Sequence, residues 1–353
     1  MNDKKYILLY KSIKEKILSG EYKKGQKLPS KRVTASRTGY SLITVENAYR
    51  LLSDEGYITS REKSGYYVRQ TFFVPQSKHT DVKKPLQLLS EEATQTDNVG
   101  FEYSLWCKTV RKVLSDRGRE LFVKSPPKGC ACLRNAIAEY LLRYRGMYAE
   151  PERIIIGSGA EQLYEAAVRT LGREKVYGHE NPCYDQIKTV YEGLGLEVCP
   201  LDMADDGIKS SCLWDSGIDV LHVTPFHSYP SGVTASASKR HEYLNWAIQN
   251  NGYIIEDDFD SEFFIPVSPI ETLFNLDKSK RVIYINTFSK SLSPSFRMGY
   301  MILPEHLIPS YDSTMGRYSC TVPVLEQHVL SEFIAGGHFE RHLNRVRRQR
   351  KGV

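Results

Sequence analysis

Residues 281–291 have the sequence RVIYINTFSKS, in which an apolar, β-branched run ends at a lysine flanked by serines. Other short apolar runs lie at residues 153–156, 219–223 and 253–255, and a helical pattern covers residues 239–249 between two of them. Alternating strands and helices predict an α/β fold, with a largely parallel sheet covered by helices on both faces. In such sheets, ligands bind beyond the carboxyl ends of the strands.

Two short polar segments follow these strands. The Gly-Ser-Gly segment 157–159 precedes a helix predicted over residues 160–171, so its backbone N–H groups and the helix dipole would favour a phosphate. The Glu-Asp-Asp segment 256–258 closes a buried strand, where a carboxylate is costly without a cationic partner. A protonated heteroaromatic nitrogen would be such a partner.

The lysine after the last strand is the candidate for covalent chemistry. In this position the amine of Lys290 could form an imine with an aldehyde cofactor, and neighbouring hydroxyl and guanidinium groups would hold the cofactor's phosphate. An ordinary surface lysine is the alternative. The predicted phosphate-binding side chains are Thr287, Ser289 and Arg297.

The composition is that of a water-soluble globular protein, with 41% hydrophobic and 25% charged residues among 353. No apolar run approaches the roughly 20 residues that span a bilayer, and the first residues lack a signal-peptide core. Seven cysteines without CxxC spacing argue against a disulfide framework and a zinc site. We therefore expect a cytoplasmic protein without a membrane partner.

The charge is unevenly distributed along the chain. Residues 1–70 carry 15 Lys and Arg against 7 Asp and Glu, a net charge of +8, whereas residues 71–340 carry −8. Residues 341–353 add six cations and no acid. A basic head on an acidic body is typical of a chain whose head binds a polyphosphate. Ordinary solvated surface lysines are the alternative.

Residues 1–70 have the pattern of a helix-turn-helix with a wing. Apolar residues at helical spacing predict a first helix, and Ser30 and Ser41 are predicted N-caps of a second and a third helix. Two short strands, at residues 57–59 and 66–68, predict a basic hairpin. The polar outer face of the third helix fits a DNA major groove.

This head resembles the winged-helix domain of the GntR family of bacterial transcription regulators, through residues 28–32 (LPSKR), 41–49 (SLITVENAY), 56–58 (GYI) and Gly65. The family often has an arginine after the capping serine, where this chain has Leu42, so one base or phosphate contact stays open. The DNA-binding residues that the resemblance implies are Lys31, Arg32, Ser41, Thr44, Arg61 and Lys63.

The body resembles the fold-type I aminotransferase domain, a three-layer α/β/α domain that binds pyridoxal 5′-phosphate. Five segments carry this resemblance: residues 157–162 (GSGAEQ), 180–184 (ENPCY), 224–232 (TPFHSYPSG), 256–263 (EDDFDSEF) and 287–300 (TFSKSLSPSFRMGY). Attached to a GntR-type head, the arrangement is similar to the MocR/GabR branch of that regulator family.

The resemblance implies a role for each matching residue. Lys290 would be the Schiff-base lysine, and Asp257 would keep the pyridine nitrogen protonated. Tyr184 would stack on the ring, with ordinary core packing as the alternative, and Tyr229 would donate to the phenolic oxygen. The implied phosphate ligands are Gly159, Ala160, Thr287, Ser289 and Arg297.

The chain departs from the family pattern in three places. Phe259 replaces a tyrosine that gives a hydroxyl to the cofactor, and Glu161 replaces an uncharged glutamine near the phosphate. An acid there is unfavourable unless it turns away. The segment 339–342 resembles the entry to the family's C-terminal subdomain, and we expect most of that subdomain to be missing.

These inferences predict a winged helix-turn-helix over residues 1–70, a linker over residues 71–98 and an aminotransferase-like domain over residues 99–353. The predicted function is a regulator that binds a double-stranded DNA operator and senses pyridoxal phosphate, with an amino acid or amine as a candidate effector. The resemblance implies a homodimer. The alternatives are a working aminotransferase and a GntR-type repressor whose body binds no cofactor.

Overall fold

The computed structural model describes residues 5–61, 64–69, 101–263 and 271–351. These residues form two compact units. The first contains the described residues before 70 together with residues 235–245, and the second contains the others. The predicted linker over residues 71–98 lies outside the described residues, so the domain boundaries at its two ends stay predictions.

The head contains three helices and a two-stranded hairpin in its described part, as the sequence predicts. Its elements are α1 Lys5–Leu18, α2 Lys31–Thr38, α3 Leu42–Asp54, β1 Ile58–Arg61 and β2 Gly65–Val68. The hydroxyl oxygens of Ser30 and Ser41 accept backbone N–H groups at the starts of α2 and α3, so both predicted N-caps are confirmed. The inner face of α3, with Val45, Ala48 and Leu52, is fully buried.

The body has one sheet, to which eight strands belong in the described part of the chain. They are β3 Ile154–Gly157, β4 Val176–Asn181, β5 Glu197–Ala204, β6 Gly207–Ile208, β7 Val220–Val223, β8 Tyr253–Asp257, β9 Val282–Thr287 and β10 Gly299–Ile302. Their order across the sheet is β3-β10-β9-β8-β7-β4-β5-β6. The strands from β9 to β5 are parallel, as predicted, whereas β10 is antiparallel to both of its neighbours and β6 is antiparallel to β5.

Helices connect and cover these strands. They are α4 Tyr103–Arg117, α5 Ala131–Tyr140, α6 Ala160–Leu171, α7 Asp185–Gly193, α8 Ser210–Trp214, α9 Ala237–Gln249, α10 Leu273–Leu276, α11 Phe288–Ser291, α12 Ile308–Thr314, α13 Val324–Ala335 and α14 His338–Lys351. The two longer helices predicted in the body correspond to α6 and α9, although residues 237–245 of α9 belong to the first unit. No helix in the described ranges combines the length and the apolar character needed to cross a bilayer.

The side chains of the strands alternate between two hydrophobic cores. In β3, Ile154 and Ile156 belong to a core shared with α5, α13 and α14, whereas Ile155 belongs to a core shared with α6, α7 and α12. In β9, Tyr284 and Ile285 divide in the same way. Successive side chains of a strand point to opposite faces. The body therefore has the predicted three layers, with helices on both faces of the sheet.

The carboxyl ends of the parallel strands meet at one edge of the sheet. Strand β7 ends at Val223, β8 at Asp257 and β9 at Thr287. The register pairs Val223 with Glu256 and Asp257 with Ile285, so the three strand ends are neighbours. The acidic segment and the segment with the lysine both follow this edge, which is where the sequence predicts the site.

Candidate functional site

Two of the three consecutive acids at the end of β8 have backbone or cationic partners in the protein. Both carboxylate oxygens of Glu256 accept backbone N–H groups from the start of α10, each at 2.8 Å. One oxygen of Asp258 accepts from the guanidinium of Arg145 at 2.6 Å and from the hydroxyl of Tyr284 at 2.7 Å. The charges of these two acids are therefore stabilised within the protein, although Oδ1 of Asp258 has no hydrogen-bond partner among the described residues.

Asp257 is the acid of this segment that has neither a cationic nor a backbone partner among the described residues. It is 3% exposed, its Oδ2 accepts a hydrogen bond from the hydroxyl of Tyr164, and its Oδ1 has no hydrogen-bond partner among the described residues. Burial raises the pKa of Asp257 to about 7, against the opposing effect of the bond from Tyr164. A buried carboxylate with an unused oxygen is suited to a cationic N–H donor.

The imidazole beside Asp257 is not that cationic donor. Nε2 of His222 lies 4.0 Å from Oδ2 of Asp257, and its Nδ1 lies 2.6 Å from the hydroxyl of Tyr191. Burial lowers the pKa of His222 to about 3, so this ring is neutral at physiological pH. His222 therefore does not supply a positive charge to the carboxylate of Asp257.

The amine of Lys290 lies between an acid and an aromatic ring. Its Nζ is 3.0 Å from Oδ2 of Asp260 and 4.5 Å from the centroid of the Phe259 ring. A quarter of the Lys290 side chain is exposed, so a small molecule can reach the amine. Phe259 thus presents a ring face where the family pattern has a hydroxyl, and the cation is stabilised by the π-system and the carboxylate.

The start of α6 contains the predicted phosphate site. Gly159 has φ +97°, and a Cβ built on it would lie 3.2 Å from Nη2 of Arg297, so the guanidinium lies directly over this glycine. The same Nη2 donates to Oε2 of Glu161 in the first turn of α6. Glu161 therefore does not turn away from the phosphate site, because its carboxylate is paired with the cation that would bind a phosphate. Ala160 is half-buried beside them.

The two remaining predicted phosphate ligands lie across the sheet edge from the glycine turn. Thr287 is the last residue of β9, and Ser289 is half-buried in α11. Gly299 of β10 pairs with Thr287 on one side and with Gly157 on the other. In this register, the strand β10 separates the segment that contains Thr287 from the glycine segment 157–159.

Two tyrosines lie at the same site. The rings of Tyr184 and Tyr229 meet edge to face, with centroids 6.2 Å apart. Tyr184 is 37% exposed, so it is not an ordinary core residue. The pKa of Tyr184 is raised, mainly by partial burial and further by the nearby carboxylate of Glu161. Tyr184 is therefore available to cover a planar ligand.

On the head, the predicted DNA-binding residues already make local contacts. Ser41 caps α3, and its hydroxyl lies 2.8 Å from that of Thr44. Lys31 pairs with Glu46 at 2.5 Å, and the guanidinium of Arg61 lies 4.6 Å from the centroid of a tyrosine ring. Arg32 is exposed on α2, whereas Lys63 lies outside the described residues. The roles of these residues stay predictions.

The sequence did not single out Tyr164, Asp260 or Arg145. Tyr164 lies one turn along α6 from the glycine segment. Its neighbours on the buried face of α6 are apolar, so the sequence carries no signal for a polar contact. Asp260 is three residues after Asp257, and its charge was the available signal. Arg145 reaches Asp258 across 113 residues of sequence, and no local pattern announces such a contact.

The described residues hold no cluster of three or more His, Cys, Asp or Glu side chains that could bind a metal ion.

Comparison with known families divides the chain into two parts. Residues 5–68 match the bacterial regulatory proteins of the gntR family, and residues 97–351 match aminotransferase class I and II. The chain is 36% identical to the HTH-type transcriptional regulator YdeL of Bacillus subtilis, over 97% of this chain and 76% of that protein. It is 29% identical to the HTH-type pyridoxine biosynthesis transcriptional regulator PdxR of Corynebacterium glutamicum, over 96% of this chain and 75% of that protein.

Solved structures show the same fold in the body. An archaeal alanine:glyoxylate aminotransferase superposes with a TM-score of 0.66 at 24% identity, covering 74% of this chain and 66% of that one. The chain thus spans about three quarters of the regulators it matches and slightly less than two thirds of this enzyme. Both domains match, in this order and over nearly the full length of the chain. The chain therefore belongs to the HTH-type transcriptional regulators that join a gntR-family DNA-binding head to an aminotransferase class I and II body, which form the MocR-type branch of that family.

Proposed function

We propose that this regulator uses its aminotransferase-like body to bind pyridoxal 5′-phosphate at Lys290 and that occupancy of this site controls how the head binds DNA. The observation that carries the proposal is the buried Asp257, whose Oδ1 lacks a hydrogen-bond partner and which has no cationic partner among the described residues. By contrast, Glu256 accepts two backbone N–H groups and Asp258 is paired with Arg145. The regulator PdxR is a relative named for pyridoxine biosynthesis, which is consistent with a ligand of this class.

The residues present fit this cofactor. The unused oxygen of Asp257 would accept a hydrogen bond from the protonated pyridine nitrogen, and this cation would compensate the buried charge. Gly159, with its positive φ, directly precedes a 12-residue helix, and the helix dipole favours a phosphate there. When bound, the cofactor supplies an aldehyde that reacts with amines.

The chain's own groups prepare the amine for this partner. Asp260 holds Nζ of Lys290 in place through a 3.0 Å ion pair, and the ring of Phe259 excludes water from one side of the amine. The rings of Tyr184 and Tyr229 would bound a planar ligand. In this proposal, the role of the site is to retain a ligand, because a sensor needs occupancy and not turnover.

The same proposal includes the double-stranded operator, a homodimer and a cytoplasmic location. A dimer of bodies would fix the spacing of two heads, and half-site spacing is what determines binding by dimeric helix-turn-helix proteins. An amino acid or amine that reacts with the bound aldehyde would then act as the effector.

The test is an absorption spectrum of the purified full chain with and without added pyridoxal 5′-phosphate. We expect wild type to gain a band near the edge of the visible range, and Lys290→Ala to lose it completely because this substitution removes the amine that the proposal places at the aldehyde. Lys188→Ala is the control, since Lys188 is an exposed lysine paired with Glu192 on α7. A band that persists in Lys290→Ala would reject the assignment.

DNA binding is measured on the same samples. The proposal requires that addition of the cofactor changes the affinity or the footprint of wild type on DNA and leaves Lys290→Ala unchanged. Formation of a keto acid from an added amino acid would instead support the aminotransferase alternative.

The pairing of Glu161 with Arg297 leads to a second prediction. Glu161→Gln is expected to tighten binding of pyridoxal 5′-phosphate by about three- to tenfold, because a phosphate no longer competes with a carboxylate for the guanidinium. Titration by fluorescence or absorbance measures the change. Glu165→Gln, one turn further along α6 and paired with Arg169 at 2.6 Å, is the matched control and should leave the affinity unchanged. Equal affinities of all three proteins would contradict the competition.

A further inference from the structure

The first turn of the third helix of the head exposes two large apolar side chains. Ile43 is 71% exposed and Leu42 is 46% exposed. The core of the head takes its α3 residues from the opposite face, including Val45, Ala48 and Leu52. Ile43 and Leu42 therefore do not serve the packing of α3, and their exposure is unfavourable unless a partner covers them.

The hydroxyl groups beside them are engaged in capping the helix. Oγ of Ser41 accepts the backbone N–H of Thr44 at 3.2 Å, and the two hydroxyls lie 2.8 Å apart. The outer face of α3 continues with Asn47 and Arg50, at helical spacing from Ile43, and the guanidinium donates to the amide oxygen at 3.3 Å. The outer face of α3 thus has an apolar first turn followed by polar residues.

Only one feature of the DNA major groove offers an apolar contact. The 5-methyl group of thymine projects into the groove, whereas the other base-edge groups there are hydrogen-bond donors and acceptors. A head with a net charge of +8 over residues 1–70 would be held to the phosphates, and α3 would then present its first turn to the bases.

We propose that Ile43, flanked by Leu42, recognises a T·A base pair by packing against the thymine methyl group. An arginine at the position of Leu42 would read a guanine, so this chain exchanges a polar contact for an apolar one in the first turn of α3. The proposal rests on DNA binding by the head and adds to it a base that the head distinguishes.

The experiment uses deoxyuridine, which has the hydrogen-bonding edge and the phosphate of thymidine but lacks the methyl group. A duplex is first selected from a randomised pool with the full wild-type chain. It is then synthesised with deoxyuridine at one thymine position at a time, and affinities are compared at one fixed salt concentration, because salt changes the phosphate contribution.

We expect deoxyuridine at one thymine position in each half-site to weaken wild-type binding by about three- to tenfold, which is the effect of removing one buried methyl group. Ile43→Ala should fold, because residue 43 is exposed and alanine is a better helix former than isoleucine. In this variant, the thymine and deoxyuridine duplexes should bind within twofold of each other. Leu8→Ala is the control: Leu8 is a 47% exposed leucine on α1, and its removal should preserve the wild-type ratio.

The outcomes separate this inference from the proposed function. If wild type enriches no duplex, DNA binding by the head fails and the inference fails with it. If wild type binds the selected duplex but tolerates deoxyuridine at every position, the thymine contact alone is wrong. The same holds if Ile43→Ala keeps the full preference for thymine, because another residue then reads the methyl group.

Discussion

Arg145→Met is expected to lower the free energy of unfolding of the body by about 3–5 kcal/mol. Arg145 is 4% exposed, and its guanidinium lies 2.6 Å from a carboxylate oxygen of Asp258, which is 1% exposed. Removing only the cation leaves a buried carboxylate without its charged partner, and that desolvated charge causes most of the loss. The remaining bond from Tyr284 cannot replace a full charge.

The measurement is urea unfolding followed by tryptophan fluorescence. The three tryptophans, Trp106, Trp214 and Trp246, all lie outside residues 1–70, so the signal reports on the body and not on the head. Arg143→Met is the matched control, because Arg143 lies in the same π-helical turn with an exposed pair to Glu139, and exposed pairs contribute less than about 1 kcal/mol.

A double variant tests the cause of the loss. Adding Asp258→Asn to Arg145→Met removes the uncompensated charge and should recover part of the lost stability. If the double variant is no more stable than Arg145→Met, the loss comes from packing of the long side chain and not from the buried charge.

Asp257→Asn is expected to have two opposite effects. It should weaken binding of pyridoxal 5′-phosphate by roughly ten- to a hundredfold, because a charge-assisted hydrogen bond contributes about 1.5–3 kcal/mol. It should also stabilise the cofactor-free protein by about 1–3 kcal/mol at pH 8, because it removes a buried carboxylate whose ionisation is unfavourable. The amide still accepts the bond from Tyr164.

The pH dependence of this stabilisation follows from the raised pKa of Asp257, about 7. Between its ordinary value near 4 and pH 7, the folded chain holds the proton that the unfolded chain has released. Stability therefore falls as the pH rises through this interval, and the penalty is complete above about pH 7. The advantage of Asp257→Asn over wild type should be larger at pH 8 than at pH 5.

Urea unfolding at the two pH values and a cofactor titration measure the two effects. The adjacent variant Asp258→Asn is the control, since it should destabilise the chain by weakening the pair with Arg145. An Asp257→Asn protein that binds the cofactor as tightly as wild type would remove Asp257 from the site, whatever its stability.

Local chemistry explains what the sequence could predict. Ser30 and Ser41 cap helices because a hydroxyl before a helix satisfies its first N–H groups, and this needs no knowledge of the tertiary fold. Lys290 and Asp257 were placed at one edge because parallel strands bring their carboxyl ends together. The antiparallel insertion of β10 between β3 and β9 has no local signal.

The electrostatic state of the site depends on contacts between distant residues. The acidic segment 256–258 alone cannot show which acid lacks a cationic or backbone partner, because the answer requires the positions of Arg145 and of α10. Similarly, Glu161 meets Arg297 across 136 residues, so the sequence identified an unusual acid but not its partner. Exposure of Ile43 also follows from the packing of α3 and not from its hydrophobicity.

Asp257 and Asp258 are consecutive residues with partners in different helical layers. Asp257 contacts Tyr164, which belongs to the core with α6, whereas Asp258 contacts Tyr284, which belongs to the core with α5. The peptide bond between them therefore joins Asp257, the proposed partner of the pyridine nitrogen, to Asp258, whose ion pair with Arg145 lies in the opposite layer. Because the two side chains share the plane of this peptide bond, a rotation of the plane would move the carboxylates of Asp257 and Asp258 together, one on each side of the sheet.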